Sequence, residues 1–152
     1  MTVETLEAVE IRDILRLLPH RYPFVMVDRI IDIRGDESGI GIKNVTVNEP
    51  QFLGHFPENP VMPGVLVIEG MAQTAAILVL RLLQLQGSRS MFLITIDKAK
   101  FRKPAVPGDR LEYHVRKAAH RGTMWWYQTE ARVASAVIAE AKLGAIIAEA
   151  RT

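Results

Sequence analysis

The 152-residue chain contains no cysteine. Disulfides, thiolate nucleophiles and cysteine-based metal sites are therefore excluded. Charge of one sign is also scarce, with a formal net charge of +2. That excess is too small to argue for nucleic acid as a partner. The stretch "MTVETLEAVE" is acidic and lacks a basic start followed by an apolar core, so no secretory signal is expected. The lack of cysteine is compatible with the cytoplasm, which is the expected location. No internal repeat and no low-complexity linker interrupts the chain. Nearly half of its residues (49%) are hydrophobic and 24% are charged, an ordinary balance for one globular domain spanning residues 1–152.

Residues 5–18, "TLEAVEIRDILRLL", place Leu6, Val9, Ile14, Leu17 and Leu18 at helical spacing. The pattern predicts a short amphipathic helix closed by Pro19. "FVMVDRIIDIRG" and "GIGIKNVTV" are β-branched runs with turn residues between Gly35 and Gly39, and predict two strands. Residues 48–63 hold four of the eight prolines and predict an irregular segment with one short helical turn.

From Gly64 to about Gln86 the sequence is "GVLVIEGMAQTAAILVLRLLQLQ", roughly 33 Å of helix. Glu69, Gln73 and Arg81 interrupt it, and flanking basic clusters are missing, so no membrane span is expected. A helix apolar nearly all round is one that the rest of the domain surrounds. Four candidate strands follow: "SMFLITIDKAKF", "DRLEYHVRKAAHR", "TMWWYQTEARVA" and "AVIAEAKLGAIIAEA". The last is ambiguous, because Ala, Glu and Lys favour helix. The whole reads as an α+β domain, an antiparallel sheet wrapped on one helix.

Two residues stand out against that background. His55 sits between Gly54 and Phe56-Pro57 in the proline-stiffened segment. Such a segment suits a base that must stay within reach of a proton. Glu69 is a carboxylate inside the apolar helix. Desolvation there is expected to favour the neutral acid, and Gln73, one turn on, can orient it by hydrogen bonding. Unpaired backbone N–H groups at Gly64 and Val65, at the positive end of the helix dipole, suit an oxyanion. A base, an acid and an oxyanion site fit proton abstraction beside a thioester carbonyl with loss of a β-hydroxyl. That chemistry calls for no metal and no organic cofactor, and the sequence shows no motif for either.

"LPHRYPFVMVDRI" (18–30), "NVTVNEPQFLGHFPENPVMPGVLVIEGMAQ" (44–73) and "DKAKFRKPAVPGD" (97–109) together resemble the bacterial 3-hydroxyacyl-acyl carrier protein dehydratases of type II fatty acid synthesis. The resemblance implies a hotdog fold, a dimer with two active sites across its interface, and assembly of three dimers into a hexamer. By motif it makes His55 the base and Glu69 the acid, supplied by opposite subunits, with Gly64 giving an oxyanion N–H. It implies conversion of a (3R)-hydroxyacyl thioester to a trans-2-enoyl thioester on acyl carrier protein. Two rivals remain open at this stage: a hotdog thioesterase or coenzyme A hydratase, and a non-catalytic acyl-binding protein.

Glutamate rather than aspartate at the acid position favours the plain dehydratase over the dehydratase-isomerase branch. Gly70 stands where alanine is usual in the family, which would loosen Glu69 or make room for a different acyl chain. Lys98, Lys100 and Arg102 alternate with Ala99 and Phe101, placing three cations on one strand face for docking an acidic carrier protein. His20 is assigned a structural role, since it follows a helix-ending proline and no acid partner is evident nearby. His114 and His120 are expected to be exposed or packed. Of the pair Trp125-Trp126, one is expected in the core and the other at an interface or surface.

Overall fold

A computed structural model describes residues 6–84 and 89–149. The element order is β1 (Glu7–Val9), α1 (Ile11–Leu17), β2 (Arg29–Arg34), β3 (Ser38–Asn44), α2 (Gly64–Leu82), β4 (Arg89–Phe101), β5 (Arg110–Arg121), β6 (Met124–Val133) and β7 (Ala136–Glu149). A 3₁₀ turn at Pro50–Leu53 supplies the short helical turn expected in the proline-rich segment. The strands form one antiparallel sheet in the order β1-β2-β3-β5-β6-β7-β4. The sheet wraps α2, which packs on β3 through β7. This is the hotdog arrangement.

The helix forms because its interior carries no proline and is rich in Leu and Ala. Pro63 precedes it with φ −56°, already suited to a helix start. It ends at Leu83, whose N–H bonds back to Val79 O and Arg81 O, short of Gln86, which lies outside the described residues. By length and hydropathy α2 would qualify as a membrane span, yet 67% of the qualifying window is buried inside the protein. Ile77, Leu78, Val79 and Leu80, four residues in a row, are all fully buried. A run of that kind has no outward face, so the sheet and α1 together enclose the helix there.

Period-two burial explains how the sheet grips α2. Leu111, Tyr113 and Val115 of β5 are buried, while Glu112 and His114 turn outward. In β7, Ala139, Ala141 and Leu143 face the core, so the ambiguous last segment is a strand. Two glycines set the helix–sheet distance. A Cβ on Gly41 would fall 2.1 Å from Thr74 Oγ1, and one on Gly70 would fall 2.2 Å from Tyr113 Cζ. The space beside Gly70 is thus filled by the Tyr113 ring, and neither extra play for Glu69 nor extra room for an acyl chain results from it.

The N-terminal segment departs from expectation. Only Ile11–Leu17 is helical. Glu7–Val9 instead pairs with β2, Glu7 opposite Ile33 and Val9 opposite Ile30; residue 5 lies outside the described residues. The β2–β3 turn passes through Gly35 at φ +52°, a conformation open to glycine. There Asp36 takes bonds from Lys117 Nζ (3.0 Å) and Trp125 Nε1 (3.2 Å), tying the turn to β5 and β6. Trp125 is core and Trp126 is half-buried, as the alternation requires.

Candidate active site

The loop between β3 and α2 is anchored by an ion pair. Lys43, 4% exposed, reaches Glu49 Oε1 at 2.6 Å. The same carboxylate accepts Gln51 Nε2 (3.1 Å) and the Thr46 N–H (2.8 Å). From this knot the chain runs to His55, whose N–H bonds to Gln51 O (3.0 Å) and whose carbonyl accepts the Val61 N–H (3.0 Å). Met62 N–H then donates to Ala105 O (2.8 Å), tacking the segment to the connection before β5.

The imidazole is held as firmly. His55 Nδ1 lies 2.6 Å from Val61 O, and a carbonyl can only accept, so Nδ1 carries the proton. In the neutral ring Nε2 then carries the lone pair, the state a general base needs. The ring also stacks on Phe56, with centroids 4.2 Å apart. His55 opens onto a cleft of about 470 Å³ whose walls include Met62, Val65, Phe101 and Ile138. Arg102 and Lys103 border the same cleft.

The start of α2 reaches that cleft at Gly64 and Val65. Leu66 and Val67 turn their N–H groups back to Pro63 O, whereas the Gly64 and Val65 amides meet no acceptor among the described residues. A Cβ at Gly64 would come within 2.7 Å of the Phe101 ring, so only glycine fits between the ring and the free amides. The arrangement matches an oxyanion site.

Glu69 lies one turn further along α2, with its side chain 19% exposed. Gln73 Nε2 approaches its Oε1 at 3.3 Å. Gln73 is itself pinned: its Oε1 accepts the Met26 N–H (2.8 Å) and its Nε2 also donates to Phe24 O (2.7 Å). The orienting role expected of Gln73 therefore has a geometric basis. His20 differs from expectation. Its Nε2 lies 3.4 Å from Glu69 Oε1, so an acid partner is present after all. Sequence reasoning missed it because the segment from Leu18 to Phe24 folds back onto α2, and only that return brings residues 20 and 69 together. The Lys43–Glu49 anchor was missed as well; a lysine within an apolar strand followed by a glutamate six residues on was its only signal.

Among the described residues no ion pair joins His55 to Glu69. His55 and Glu69 of one chain are thus not ion-pair partners of each other.

The proposed docking cations are rearranged by a β-bulge. Asp97 pairs with Lys142 and Lys100 with Glu140, so two residues of β4, Lys98 and Ala99, oppose one of β7, Ala141. Lys98, within the bulge, adopts φ +52°, and the simple alternation that aligned it with Lys100 fails. Arg102 bonds to Glu140 Oε1 at 3.0 Å, the residue opposite Lys100. His114 meets Glu112 Oε1 (2.9 Å) and His120 stacks on Trp125. Both lie away from the His55 cleft.

Residues 18–142 match the FabA-like domain family model. The chain is 58% identical over 149 residues to the 3-hydroxyacyl-[acyl-carrier-protein] dehydratase FabZ of Allorhizobium ampelinum, covering 97% of this chain and 96% of that one. It is 56% identical over 144 residues to the enzyme of the same name from Rhodopseudomonas palustris, covering 94% and 95%. Among solved structures, the dehydratase heterocomplex ApeI:P from Xenorhabdus doucetiae superposes with a TM-score of 0.74 at 16% identity, over 91% of both chains. The uncharacterised protein PH1136 from Pyrococcus horikoshii superposes with a TM-score of 0.66 at 14% identity, over 90% of this chain and 94% of that one. At such identities these two likenesses concern the fold alone.

Proposed function

Because this chain belongs to the FabA-like domain family and is a 3-hydroxyacyl-acyl carrier protein dehydratase of fatty acid biosynthesis, we propose that His55 is its catalytic base and Glu69 its catalytic acid. The observation that carries the assignment is the Nδ1–H bond of His55 to Val61 O. It leaves Nε2 as the nitrogen open to a substrate, and His55 lines a cleft that Gly64 and Val65, with their free amides, also line.

The thioester carbonyl accepts hydrogen bonds from those amides, which lowers the cost of charge developing on its oxygen. His55 Nε2 takes the α-proton of the (3R)-hydroxyacyl chain. The electron pair released forms the C2–C3 double bond as the C3–O bond breaks. Glu69 gives its proton to the departing oxygen, and water leaves with a trans-2-enoyl thioester behind. The site then holds a protonated His55 and an ionised Glu69, and transfer of one proton between them through solvent restores the starting state. In the reverse direction the same groups hydrate the enoyl chain.

The acid facing a given His55 comes from a second copy of the chain. Three features support this. Among the described residues no ion pair or hydrogen bond joins the two residues of one chain. β4, at the sheet's edge, leaves Phe92, Ile94 and Ile96 each about half exposed (52%, 50% and 48%). Long apolar edges of that kind are usually covered by another strand. Leu53 and Val65, flanking the site, are exposed at 82% and 72%. The whole chain acts as one domain in a homodimer with two shared sites, three dimers forming a hexamer, and it works in the cytoplasm on chains carried by acyl carrier protein. Lys100 and Arg102, with Lys98 at the bulge beside them, form the docking edge for that acidic carrier.

His55→Ala and Glu69→Gln test the assignment. Each should lower turnover by about 10²–10⁴-fold with folding intact. A variant that keeps near-full rate removes its residue from the mechanism.

A further inference from the structure

We propose that His20 is a positioning residue which, together with Gln73, fixes which carboxyl oxygen of Glu69 delivers the proton; this rests on the assignment of Glu69 as the acid.

Both neighbours of the carboxyl approach the same atom. Gln73 Nε2 is 3.3 Å and His20 Nε2 is 3.4 Å from Glu69 Oε1. Glu69 Oε2 meets no polar group among the described residues. The Gln73 amide cannot be turned over, because its oxygen accepts the Met26 N–H and its nitrogen donates to Phe24 O. It therefore presents a donor to Oε1. His20 Nε2 stands beside the same oxygen at 3.4 Å, a contact longer than a formed hydrogen bond that a small closing movement would convert to one through Nε2–H. In a protonated carboxyl group the oxygen that faces the donors is the carbonyl oxygen. The proton then sits on Oε2, the oxygen left free for the leaving hydroxyl.

The surroundings of His20 favour this role over two others. As a proton relay the ring would take a proton at one nitrogen and release it at the other. His20 Nδ1 is buried and has no partner, so that exit is closed. As simple packing, an imidazole is a poor choice, since a buried nitrogen without a partner is costly and a phenyl ring would fill the space without that cost. What the imidazole adds is the Nε2 contact with Glu69. The ring is kept in place by a stack on Phe24, centroids 6.1 Å apart and planes at 12°. Phe24 is also the residue whose carbonyl holds Gln73. Arg21 ties the backbone of the same turn through bonds to Leu18 O and His20 O. One short loop thus supplies both constraints on Glu69.

The test compares full-length dimers carrying His20→Phe, which keeps a ring and deletes the donor, and His20→Gln, which keeps an N–H at a similar reach. The probe is dehydration of 3-hydroxybutyryl-acyl carrier protein, with Glu69→Gln assayed alongside. His20→Phe should lower kcat about tenfold and leave KM within about twofold, the signature of an interaction realised in the transition state. His20→Gln should restore most of the rate. If His20→Phe does not fold, His20→Leu serves as the donor deletion. Equal losses in the deletion variant and His20→Gln, a change confined to KM, or full activity in the deletion variant would each overturn the proposal. Full activity in Glu69→Gln would instead overturn the assignment of the acid itself, so the two failures are distinguishable.

Discussion

Replacing Gly70 with alanine tests how tightly the acid-bearing helix is seated. On helix propensity alone the change should stabilise α2 by about 1 kcal/mol. The surroundings reverse that sign. The new Cβ would lie 2.2 Å from Tyr113 Cζ, 2.3 Å from its hydroxyl oxygen and 2.6 Å from Cε2. All three separations are below any tolerable contact, and Tyr113 is fully buried, so its ring has no free space to enter. Overpacking of a filled core costs up to about 3 kcal/mol, which leaves a net loss near 2 kcal/mol. Urea denaturation at fixed protomer concentration should show this as a lower midpoint with an unchanged slope. Tyr113→Leu opens the space, and in that background Gly70→Ala should regain the propensity benefit. The coupling between the two substitutions is then about 3 kcal/mol. Turnover should fall with stability in Gly70→Ala, since Glu69 is the adjacent residue and displacement of the helix moves it. A Gly70→Ala protein more stable than the parent, or one equally destabilised in both backgrounds, would refute the reasoning.

Three further outcomes are expected. Lys43→Met leaves the Glu49 carboxylate without its buried partner; it should cost about 3 kcal/mol and lower kcat more than it raises KM, because the loop carrying His55 is anchored there, and a loss confined to stability would detach the ion pair from the site. For Asp36, burial is the largest single influence and pushes its carboxyl up, but the bonds from Lys117 and Trp125 outweigh it and hold the group below its usual 3.8. A depressed carboxyl stabilises the fold at pH values above its unfolded value and loses that contribution as pH falls through the folded one, so Asp36→Asn should flatten the fall of Tm below about pH 4, and an unchanged acid limb would contradict the linkage. Reversing Lys98 and Lys100 to glutamate should raise KM for carrier-protein substrates more than for coenzyme A substrates, and equal effects would reject the docking edge.

The central helix and the four strands after it were legible in the sequence because each depends on local pattern, and His55 and Glu69 could be singled out as candidates for the same reason. A long apolar helix with one carboxylate, and a histidine among prolines, need no knowledge of distant residues. What escaped depends on contacts between segments far apart in the chain. Leu6 and Val9 fit a helical period, yet pairing with β2 draws Glu7–Val9 into the sheet, where strand hydrogen bonds outweigh a weak local preference. A period-two reading of β4 has no means of anticipating a residue with positive φ, so the bulge at Lys98 was invisible. The filling of Gly70 by Tyr113 joins a helix to a strand 43 positions later, and the approach of His20 to Glu69 spans a similar interval. In each case the physical cause is packing between elements, which hydropathy pattern does not encode.

The shared site is tested most directly by mixing. His55→Ala and Glu69→Gln proteins, each nearly inactive, are combined in equal amounts under conditions where subunit exchange is demonstrated, and dehydration of a 3-hydroxyacyl-acyl carrier protein is followed. In a two-fold dimer with sites built from both chains, random exchange regenerates about a quarter of the sites, one in each mixed dimer. Recovery of turnover near that level is the expected result. Complete exchange with no recovery would mean that base and acid do not come from different chains.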